Sequence, residues 1–455
     1  MNNTLSPSFH SQLNADIIVI GGGLSGLAAA TYAARGGRRV TLFEKASEPG
    51  GRAITRQRNG FCLNRGAHAL YHQTEAGEVL RELGVAYYGK QPPSVFGLAD
   101  GTLHLLPQSP LALLRTTLFD ASAKLELVGV QARALRADLL ALQTVSVTEW
   151  LNRHVRHPQI RTLLLMLARV TTYTNAPELQ SAALLVEMVR KVPNVLYLDE
   201  GWQTIVHGLY HVAEATGVRM VTSARVVAVE HEERVRGVRL ANGDFYPAQA
   251  VIVATDPTEA SALVNGGEYP ALSRWAREAL PSHVACLDVA LRHVPEPRHK
   301  GALGIDRPLY LVVHSASAKL APEGGAVIHT IRYLEPGEQA DAKAVERELE
   351  ALLDRLQPGW RREIVEQQFL PHMHATNAIV QAHLGGLPGR PGPEVPGILN
   401  LFVAGDWVGK AGQLTAAGLA SARVAGRLAC EQTVRRGGVD ESDYSSVGVE
   451  RCTGT

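Results

Sequence analysis

The sequence predicts an α/β protein that combines a parallel sheet with a second, antiparallel sheet, and three observations lead to this fold class. Residues 16–20 form a short apolar strand that runs into glycine-rich sequence opening a helix. Apolar strands of the same kind recur at residues 250–254 and 399–404. Residues 283–370 contain alternating β-rich segments, which favour one half-buried antiparallel sheet. Because the chain has 455 residues, we expect two or three domains.

The first strand is followed by three glycines at G-x-G-x-x-G spacing. Gly21 allows the tight turn, Gly23 lets a pyrophosphate approach the backbone, and Gly26 lets the helix lie close to the strand. Leu24 and Ser25 begin that helix, whose unpaired N–H groups and partial positive charge favour a diphosphate. The turn therefore predicts a Rossmann-like dinucleotide site.

An acidic residue ends the second predicted strand, residues 39–43. Glu44 lies 18 residues beyond Gly26, close to the position where a carboxylate binds a ribose hydroxyl. Lys45 follows at the same turn, and we include both among the cofactor-binding residues. The complete βαβ context favours a site for an adenine dinucleotide. The alternative is an ordinary βα turn with a solvated glutamate.

A second glycine loop follows the acid and indicates which dinucleotide binds. It resembles the flavoprotein superfamily of amine oxidases, protoporphyrinogen oxidases and phytoene desaturases, in which an acid is followed by Pro-Gly-Gly-Arg-x-x-Thr. The matching residues are Glu44, Pro49, Gly50, Gly51, Arg52 and Thr55. The resemblance implies a glutathione-reductase-like FAD-binding domain, with Arg52 as a permanent charge beside the FAD diphosphate. Otherwise Arg52 is a solvated loop residue.

Two further segments resemble this family. Residues 61–70 resemble the stretch that runs toward the flavin ring, so His68 is a candidate flavin neighbour; the alternative is a packed histidine without a chemical role. Asn64 stands where phytoene desaturases usually carry Asp. Residues 219–257 resemble the second FAD-binding segment, in which the backbone at Val226 meets the adenine.

The C-terminal motif is a strand that ends in Gly405-Asp406 and is followed by a helix from Leu414. The resemblance implies that the Asp406 carboxylate lies near the ribityl chain and the diphosphate. It also implies that the helix directs its N-terminus, at Leu414, toward the O2 side of the flavin. The usual Ser-Gly of this helix is Ser421-Ala422 here, which is a departure from the family.

The motifs divide the chain into a discontinuous FAD-binding domain, a substrate-binding domain and a tail. The predicted ranges are 14–75, 193–265 and 396–430 for FAD; 76–192 and 266–395 for the α+β substrate domain; and 431–455 for a disordered tail. The apolar stretches Leu111–Leu114 and Leu139–Leu142 could touch a membrane surface. We predict core positions for them, because neither carries a basic face.

The composition excludes several classes of protein. The net charge is +1, and no basic run indicates a nucleic-acid partner. The four cysteines form no C-x-x-C pair, which favours a reducing compartment, and no metal-ligand spacing is evident. No apolar run is long enough for a membrane span, although peripheral contact stays open. Residues 1–14 lack the features of a signal peptide, so we expect a cytoplasmic location.

Together these patterns predict an oxidoreductase that holds FAD without a covalent bond. We expect hydride transfer to flavin from a C–H bond of a largely apolar small molecule, with oxygen or a quinone as electron acceptor. No catalytic residue beyond the flavin is predicted, apart from His68 as a candidate. His372, His374 and Lys410 are read as surface or loop residues. The oligomeric state is left open.

Three alternatives remain. A redox-neutral isomerase would use the same cofactor. An amine oxidase is disfavoured, because the C-terminal region lacks the covalent-flavin cysteine and an aromatic pair to cage an amine. A non-enzymatic escort protein of the same fold is disfavoured by the intact Gly51-Arg52 and Gly405-Asp406 elements.

Overall fold

The computed structural model describes residues 15–107, 109–191 and 194–434, and its helices and strands are numbered here in chain order. The elements before residue 192 are β1 Ile17–Ile20, α1 Leu24–Arg35, β2 Val40–Phe43, β3 Thr55–Arg58, β4 Phe61–Asn64, α2 Glu75–Leu83, β5 Gly89–Lys90, β6 Phe96–Ala99, β7 Thr102–Leu105, α3 Pro110–Arg115, α4 Ala121–Arg136, α5 Val147–His154, α6 Pro158–Thr172 and α7 Ala182–Arg190. The later elements are β8 Tyr197–Leu198, α8 Gln203–Ala215, β9 Arg219–Val221, β10 Val226–His231, β11 Val235–Leu240, β12 Phe245–Pro247, β13 Ala250–Val253, α9 Pro257–Ala262, α10 Pro270–Glu278, β14 Ser282–Leu291, β15 Gly301–Gly304, β16 Leu309–Val313, β17 Ala326–Tyr333, α11 Ala342–Leu356, β18 Ile364–Thr376, β19 Leu401–Val403 and α12 Leu414–Val434.

The first sheet is parallel and has five strands in the order β19-β13-β1-β2-β9. Every residue of β1, β2, β13 and β19 is buried, which is typical of a parallel sheet covered on both faces. Helices α1, α8 and α12 pack on one face, while the β10–β12 sheet and helices α9 and α10 pack on the other. The chain leaves β1 toward β2 and later returns to its other side as β13, so a topological switch point lies at the end of β1.

The second sheet has seven strands in the order β18-β14-β17-β16-β15-β6-β7. Its pairings are antiparallel except between β15 and β6, which run parallel. The strands of residues 283–370 therefore pair antiparallel, as predicted. The whole sheet is mixed because the hairpin β6–β7, more than 190 residues upstream of β15, joins its edge, and no local pattern encodes that pairing.

Strands β14, β16 and β17 are buried on both faces, so the prediction of a half-buried sheet was wrong. Helix α11 covers one face, where Leu349 and Leu353 pack against Leu287 and Val289. The other face packs against β4 and the segment after it, including Leu63. Because both faces meet protein, these strands show a nearly continuous apolar pattern instead of alternation.

Helices α4 to α7 share a core in which Val130, Trp150 and Leu164 are buried. The predicted core positions in the two apolar stretches are only partly right. Leu111, Leu114 and Leu140 are 55%, 73% and 73% exposed. The short helix α3 turns only one side, with Leu113, toward the core. In the second stretch, Leu139 lies in a turn and Leu142 in a short 3₁₀ segment, and both pack against the same core.

Helix α12 continues to Val434, so the first four residues of the predicted disordered tail are helical. The remainder of that tail and the expected absence of a signal peptide concern residues outside the described part of the chain. Within residues 15–107, 109–191 and 194–434, no helix combines the length and apolar character that crossing a bilayer requires.

Candidate functional site

The three glycines of the turn after β1 have different surroundings. Gly21 adopts a φ of +102°, which L side chains rarely adopt. An ideal Cβ on Gly26 would lie 1.8 Å from the carbonyl oxygen of Gly21, so α1 touches the turn here. By contrast, a Cβ on Gly23 would meet nothing within 4 Å. The turn is therefore closed around Gly21 and Gly26 and open above Gly23, at the switch point where α/β sheets bind ligands.

The positive end of α1 is open as well. Gly23 is the N-cap residue and offers no side-chain acceptor, and the first turn, which begins with Leu24 and Ser25, contains no acidic residue. The N-terminal N–H groups of a helix need partners from outside the helix. This end is therefore suited to an anion that approaches above Gly23.

The second glycine loop lies directly against the first. The Gly50 N–H donates to the Gly22 carbonyl at 2.8 Å, and Gly50 pairs with Gly23 in an isolated parallel bridge. An ideal Cβ on Gly51 would lie 3.6 Å from the Cα of Gly23. The two loops, which the sequence places 27 residues apart, form one glycine-lined edge.

Glu44 holds this edge together. Its carboxylate accepts the Gly22 N–H at 2.6 Å and the Ala46 N–H at 2.8 Å, and only 9% of the residue is exposed. The Lys45 side chain instead forms an ion pair with Glu259 at 2.8 Å, so its ammonium group is directed to the α9 surface. Glu44 therefore lies where the sequence predicts, whereas only the backbone of Lys45 remains near the turn.

The segment before β10 also reaches this edge. The Ala224 N–H donates to the Glu44 carbonyl at 2.9 Å, and Ser223 donates to the Ala46 carbonyl at 2.8 Å. Val226, two residues further, is buried and pairs with Leu240. The structure thus brings Val226 into the neighbourhood of Glu44, as the sequence motif implies.

Arg52 and Asp406, 354 positions apart in sequence, form an ion pair at 2.9 Å. Asp406 also accepts from the Thr376 hydroxyl and from both the backbone N–H and the side-chain amide of Asn377. Burial raises the pKa of Asp406, but Arg52 and the Asn377 N–H outweigh this effect and hold it below 3.8. Asp406 is therefore a buried carboxylate anion that fixes a half-exposed Arg52 beside the glycine loops.

Sequence reasoning missed a second cation near Asp406. Arg390 donates from Nη1 to the Gly412 carbonyl at 3.0 Å, and its buried Nε has no partner among the described residues. Burial lowers the pKa of Arg390 to about 10, so the guanidinium stays charged at neutral pH. Arg390 lies in a glycine- and proline-rich loop. Arginines in such loops are usually solvated, so the sequence did not indicate that this one is buried.

The start of α12 completes this side of the site. Leu414 begins the helix with a φ of +51°, an uncommon conformation for a residue with a branched side chain. The Gly405 N–H donates to the Ser421 hydroxyl at 3.0 Å. Ser421, which agrees with the family pattern, therefore ties α12 to the Gly405-Asp406 turn, while Ala422, which departs from it, is fully buried in the core beside the first sheet.

His68 lies between the two sheets, next to Trp202, with ring centroids 5.3 Å apart. Its Nδ1 lies 3.0 Å from the Gly66 carbonyl, and burial lowers its pKa below 6.5. Asn64 accepts from the Thr55 hydroxyl at 2.6 Å and from the Trp202 N–H at 3.2 Å. Thus His68 is neutral at neutral pH, and Asn64 serves as a local hydrogen-bond acceptor.

Beyond His68 the interior between the sheets is aromatic and rich in hydroxyl groups. The tyrosines are Tyr71, Tyr173, Tyr197, Tyr310 and Tyr333. The hydroxyls of Tyr197 and Tyr310 lie 2.7 Å apart, and His314 stacks on Tyr197 at 3.7 Å. Burial raises the pKa of each tyrosine, so all five stay protonated and can donate hydrogen bonds.

The same interior contains a buried acid–imidazole pair. Asp288 Oδ1 lies 2.7 Å from His329 Nδ1, and both side chains are fully buried. Asp288 Oδ2 accepts from Gly66 N–H at 3.2 Å and from Gln368 Nε2 at 3.0 Å. The sequence could have indicated this pair, because Asp288 lies in the middle of the apolar strand β14 and a buried acid needs hydrogen-bonding partners.

The buried histidines predict a pH-dependent stability. Burial, followed by the neighbouring His329 and His68, holds the pKa of His314 well below 6.5, whereas an unfolded histidine titrates near 6.5. Below pH 6.5 the unfolded chain therefore binds a proton that the folded chain does not. The free energy of unfolding should then fall with falling pH, with a slope approaching about 1.4 kcal/mol per pH unit for each such histidine.

Urea unfolding of the parent between pH 5 and pH 7.5 measures this slope. In His314→Gln, the free energy of unfolding should depend less on pH below 6.5. The slope should be smaller by about 1.4 kcal/mol per pH unit, which is the contribution of one proton. His211, which lies on the surface of α8, provides the control, and His211→Gln should leave the slope unchanged. Equal slopes in the parent and His314→Gln would contradict the assignment of a neutral buried imidazole.

The remaining polar residues considered from sequence lie at the surface. Lys410 is exposed, and the exposed His372 and His374 stack on His283 at 3.8 and 4.3 Å. Burial and these two neighbours lower the pKa of His283 to about 4. Across the described ranges, no group of three or more histidine, cysteine or acidic side chains has an arrangement suited to a metal ion.

The geometry fits an elongated, anionic dinucleotide. The space within 4 Å above Gly23 is free of protein atoms, the end of α1 and Arg52 supply positive charge, and the Glu44 carboxylate lies at the same edge. The aromatic interior beyond His68 provides a setting for a second molecule.

Comparison with known proteins agrees with this geometry. A family model described as flavin-containing amine oxidoreductase matches residues 24–433. The hydroxyneurosporene desaturase of Rhodobacter capsulatus is 26% identical over 291 residues, which are 53% of this chain and 56% of that protein. Protoporphyrinogen oxidase 2 of Arabidopsis thaliana is 28% identical over 116 residues, 25% of this chain and 23% of that protein. The matches therefore span about half or less of these relatives.

The fold is shared with solved structures. An oxidoreductase from Methanosarcina mazei superposes with a TM-score of 0.70 over 89% of this chain and 99% of that one, at 20% identity. At this identity the likeness shows the fold alone. The family match covers most of the chain, from the first helix to the end of the last one. The chain therefore belongs to the family of flavin-containing amine oxidoreductases.

Proposed function

We propose that FAD binds without a covalent bond along the glycine-lined edge, with its diphosphate above Gly23. The observation that carries this proposal is the open space at Gly23, bounded by the end of α1, the Gly50-Gly51 loop and Arg52. Glu44 would accept from the ribose, and the backbone at Val226 would meet the adenine. Asp406 and the start of α12 at Leu414 would meet the ribityl chain and the flavin ring.

When bound, the flavin would supply a hydride acceptor, and the chain would supply the site for the hydride donor. The donor proposed here is a largely apolar small molecule with a C–H bond to be oxidised. The tyrosines and the neutral His68 support this proposal, because they offer an aromatic lining without charges of its own next to the proposed flavin site. Oxygen or a quinone would accept the electrons.

Dehydrogenation or desaturation is the reaction that the relatives favour, since one of them is named as a desaturase. Amine oxidation is the second candidate, because the family model carries that name. A redox-neutral isomerase would use the same flavin site but show no net electron transfer. The ion pair of Arg52 with Asp406, beside the open glycine loops, supports a bound cofactor over an escort role.

Anaerobic flavin reduction distinguishes these reactions. The FAD-loaded protein is mixed with lipophilic alkenes, porphyrinogens and primary amines, and flavin bleaching near 450 nm is followed. Bleaching by an apolar donor, with recovery upon addition of oxygen or a quinone, is expected. Bleaching by amines alone would assign an amine oxidase, and conversion of a substrate only by the reduced enzyme would assign an isomerase. A chain that cannot be loaded with FAD would overturn the proposal.

Two substitutions test which residues hold the cofactor. Arg52→Ala removes a cation from the diphosphate, and Glu44→Ala removes the predicted ribose acceptor together with two hydrogen bonds that close the turn. Each change should weaken FAD binding by ~1.5–3 kcal/mol, which is about one to two decades in affinity. Fluorescence titration of the apoprotein with FAD measures the effect.

Matched controls are available on the same loop and hairpin. Glu48 is an exposed acid four residues after Glu44, and Arg58 is a half-exposed arginine that lies 3.9 Å from Glu366. Glu48→Ala and Arg58→Ala should bind FAD like the parent. If Arg52→Ala and Glu44→Ala bind FAD as well as these controls do, the assignment of Arg52 and Glu44 to the FAD site is wrong. FAD would then bind through other residues.

A further inference from the structure

Large apolar side chains are exposed mainly in one part of the described chain. Seven of the twelve exposed large apolar residues fall between residues 105 and 140: Leu105, Leu111, Leu114, Leu125, Val128, Leu135 and Leu140. Their exposed fractions range from 45% to 74%. Single exposed apolar residues need no explanation, but a concentration of this kind marks an interaction surface. We call these residues the apolar patch.

Helix α4 forms the centre of the apolar patch and has apolar residues on two opposite sides. Ala123, Val130 and Ala134 are buried in the core with the neighbouring helices. Leu125, Val128 and Leu135 lie within about 80° of one another around the helix and face solvent. The outer stripe is therefore a second apolar face that the fold of this chain does not use.

The apolar patch continues beyond both ends of α4. At the N-terminal end, Lys124 Nζ donates to the Leu114 carbonyl at 3.0 Å, which holds the end of α3 beside α4. At the other end, Leu140 follows the last turn of α4 by four residues. Since α4 has 16 residues, it is about 24 Å long, and the apolar surface extends along that length.

Positive charge accompanies the apolar patch. Residues 105–161 contain seven Lys and Arg and four Asp and Glu, a net charge of +3 against +1 for the whole chain. Five arginines of this segment are exposed: Arg115, Arg133, Arg136, Arg153 and Arg156. Among the described residues, none of these five forms an ion pair with a carboxylate.

The four acids of the segment hydrogen-bond to backbone N–H groups and not to these guanidinium groups, although Glu149 attracts Arg153 from a distance. Glu126 accepts the N–H groups of Arg156 and His157, and Glu149 accepts that of Ser146 in a capping box. Asp138 accepts the Leu140 N–H. Within the described part of the chain, the segment therefore presents exposed guanidinium groups that no carboxylate pairs, and only Arg133 of the five donates to a backbone carbonyl, that of His154 at 3.3 Å.

We propose that the apolar patch and its arginines dock on the surface of an anionic lipid bilayer. A lipid interface accepts aliphatic side chains at the acyl boundary while its anionic headgroups attract arginine. A second copy of this chain fits less well, since it would bring another net charge of +3 against the first. The docking itself does not depend on the redox chemistry, but an apolar donor of the proposed function would dissolve in the same lipid phase.

Co-sedimentation with lipid vesicles tests the docking. The full-length parent is mixed with vesicles of phosphatidylcholine alone or with 30% phosphatidylglycerol, at about 0.05 and 0.5 M NaCl. Binding is expected only with the anionic vesicles and should weaken in high salt. The triple variant L125S/V128S/L135S should lose at least tenfold in partitioning, and R133Q/R136Q should lose about fivefold for each arginine removed.

Matched controls separate docking from folding and from the proposed function. The triple variant Y88S/L399S/V424S removes exposed apolar groups elsewhere, and R274Q/R277Q removes two charges from α10; both should bind vesicles like the parent. All variants should retain the FAD content and circular dichroism spectrum of the parent.

Three outcomes would overturn the proposal: no sedimentation of the parent with anionic vesicles, equal binding to phosphatidylcholine, or a dimer in light scattering that disappears in L125S/V128S/L135S. A chain that docks on vesicles but does not bind FAD would overturn only the proposed function.

Discussion

Gly26→Ala should disrupt both the fold around the first turn and the binding of FAD. The new Cβ would lie 1.8 Å from the Gly21 carbonyl oxygen and 3.0 Å from its carbonyl carbon, both of which are backbone atoms that cannot rotate away. Helix α1 would have to move away from β1, and overpacking of this kind costs ~3 kcal/mol or more. Thermal unfolding and flavin content after purification would show the change.

Gly23→Ala provides the matched control for this prediction. A Cβ at Gly23 meets nothing within 4 Å, and the φ of −72° there suits alanine. The stability of the apoprotein should therefore equal that of the parent. FAD affinity should nevertheless fall, because the added methyl group would occupy the space assigned to the diphosphate. A Gly23→Ala variant with normal FAD affinity would contradict that assignment.

Asp288→Ala is the second change with a large expected effect. It would leave His329 Nδ1, Gln368 Nε2 and the Gly66 N–H without their common acceptor in a dry interior. Leaving a buried hydrogen-bonding group without its partner typically costs ~1–3 kcal/mol. Because three groups lose their acceptor, the free energy of unfolding, measured in urea, should fall by ~3 kcal/mol or more.

Two further variants identify the cause of that loss. Asp288→Asn keeps an acceptor of similar shape and should cost less than Asp288→Ala. Asp354, which accepts from Trp360 and Arg361 at a half-exposed position, serves as the surface control, and Asp354→Ala should cost ~1 kcal/mol or less. If Asp288→Ala is no more destabilising than Asp354→Ala, the buried pair does not contribute as described.

The local signals in the sequence predicted the parts of the site that lie within one βαβ unit. Glycine spacing fixes the turn, because only glycine fits the φ of +102° at Gly21 and the contact at Gly26. The lengths of α1 and β2 place Glu44 at the end of β2, beside the glycine turn. The capping box that Ser146 and Glu149 form at the start of α5 is equally local. Each of these features depends on residues close together in sequence.

Features that join distant segments could not be predicted in the same way. The ion pair of Arg52 with Asp406 connects segments that no local pattern relates, although both residues were chosen individually. Burial is also a tertiary property, so Leu114 could be core or surface according to which side of α3 meets α4. Arg390 and His329 were missed because their roles arise from neighbours supplied by other strands and loops.

The strand order of the parallel sheet has a consequence for synthesis of the protein in the cell. Strand β1 emerges first from the ribosome, yet one of its two neighbours, β13, and the edge strand β19 are made about 230 and 380 residues later. At roughly 5–20 residues per second, the open edge of β1 waits roughly 12–46 s for β13. During this time it is open to misassembly, which chaperones would have to prevent. The ion pair of Arg52 with Asp406 also forms late, because Asp406 is translated only after β19.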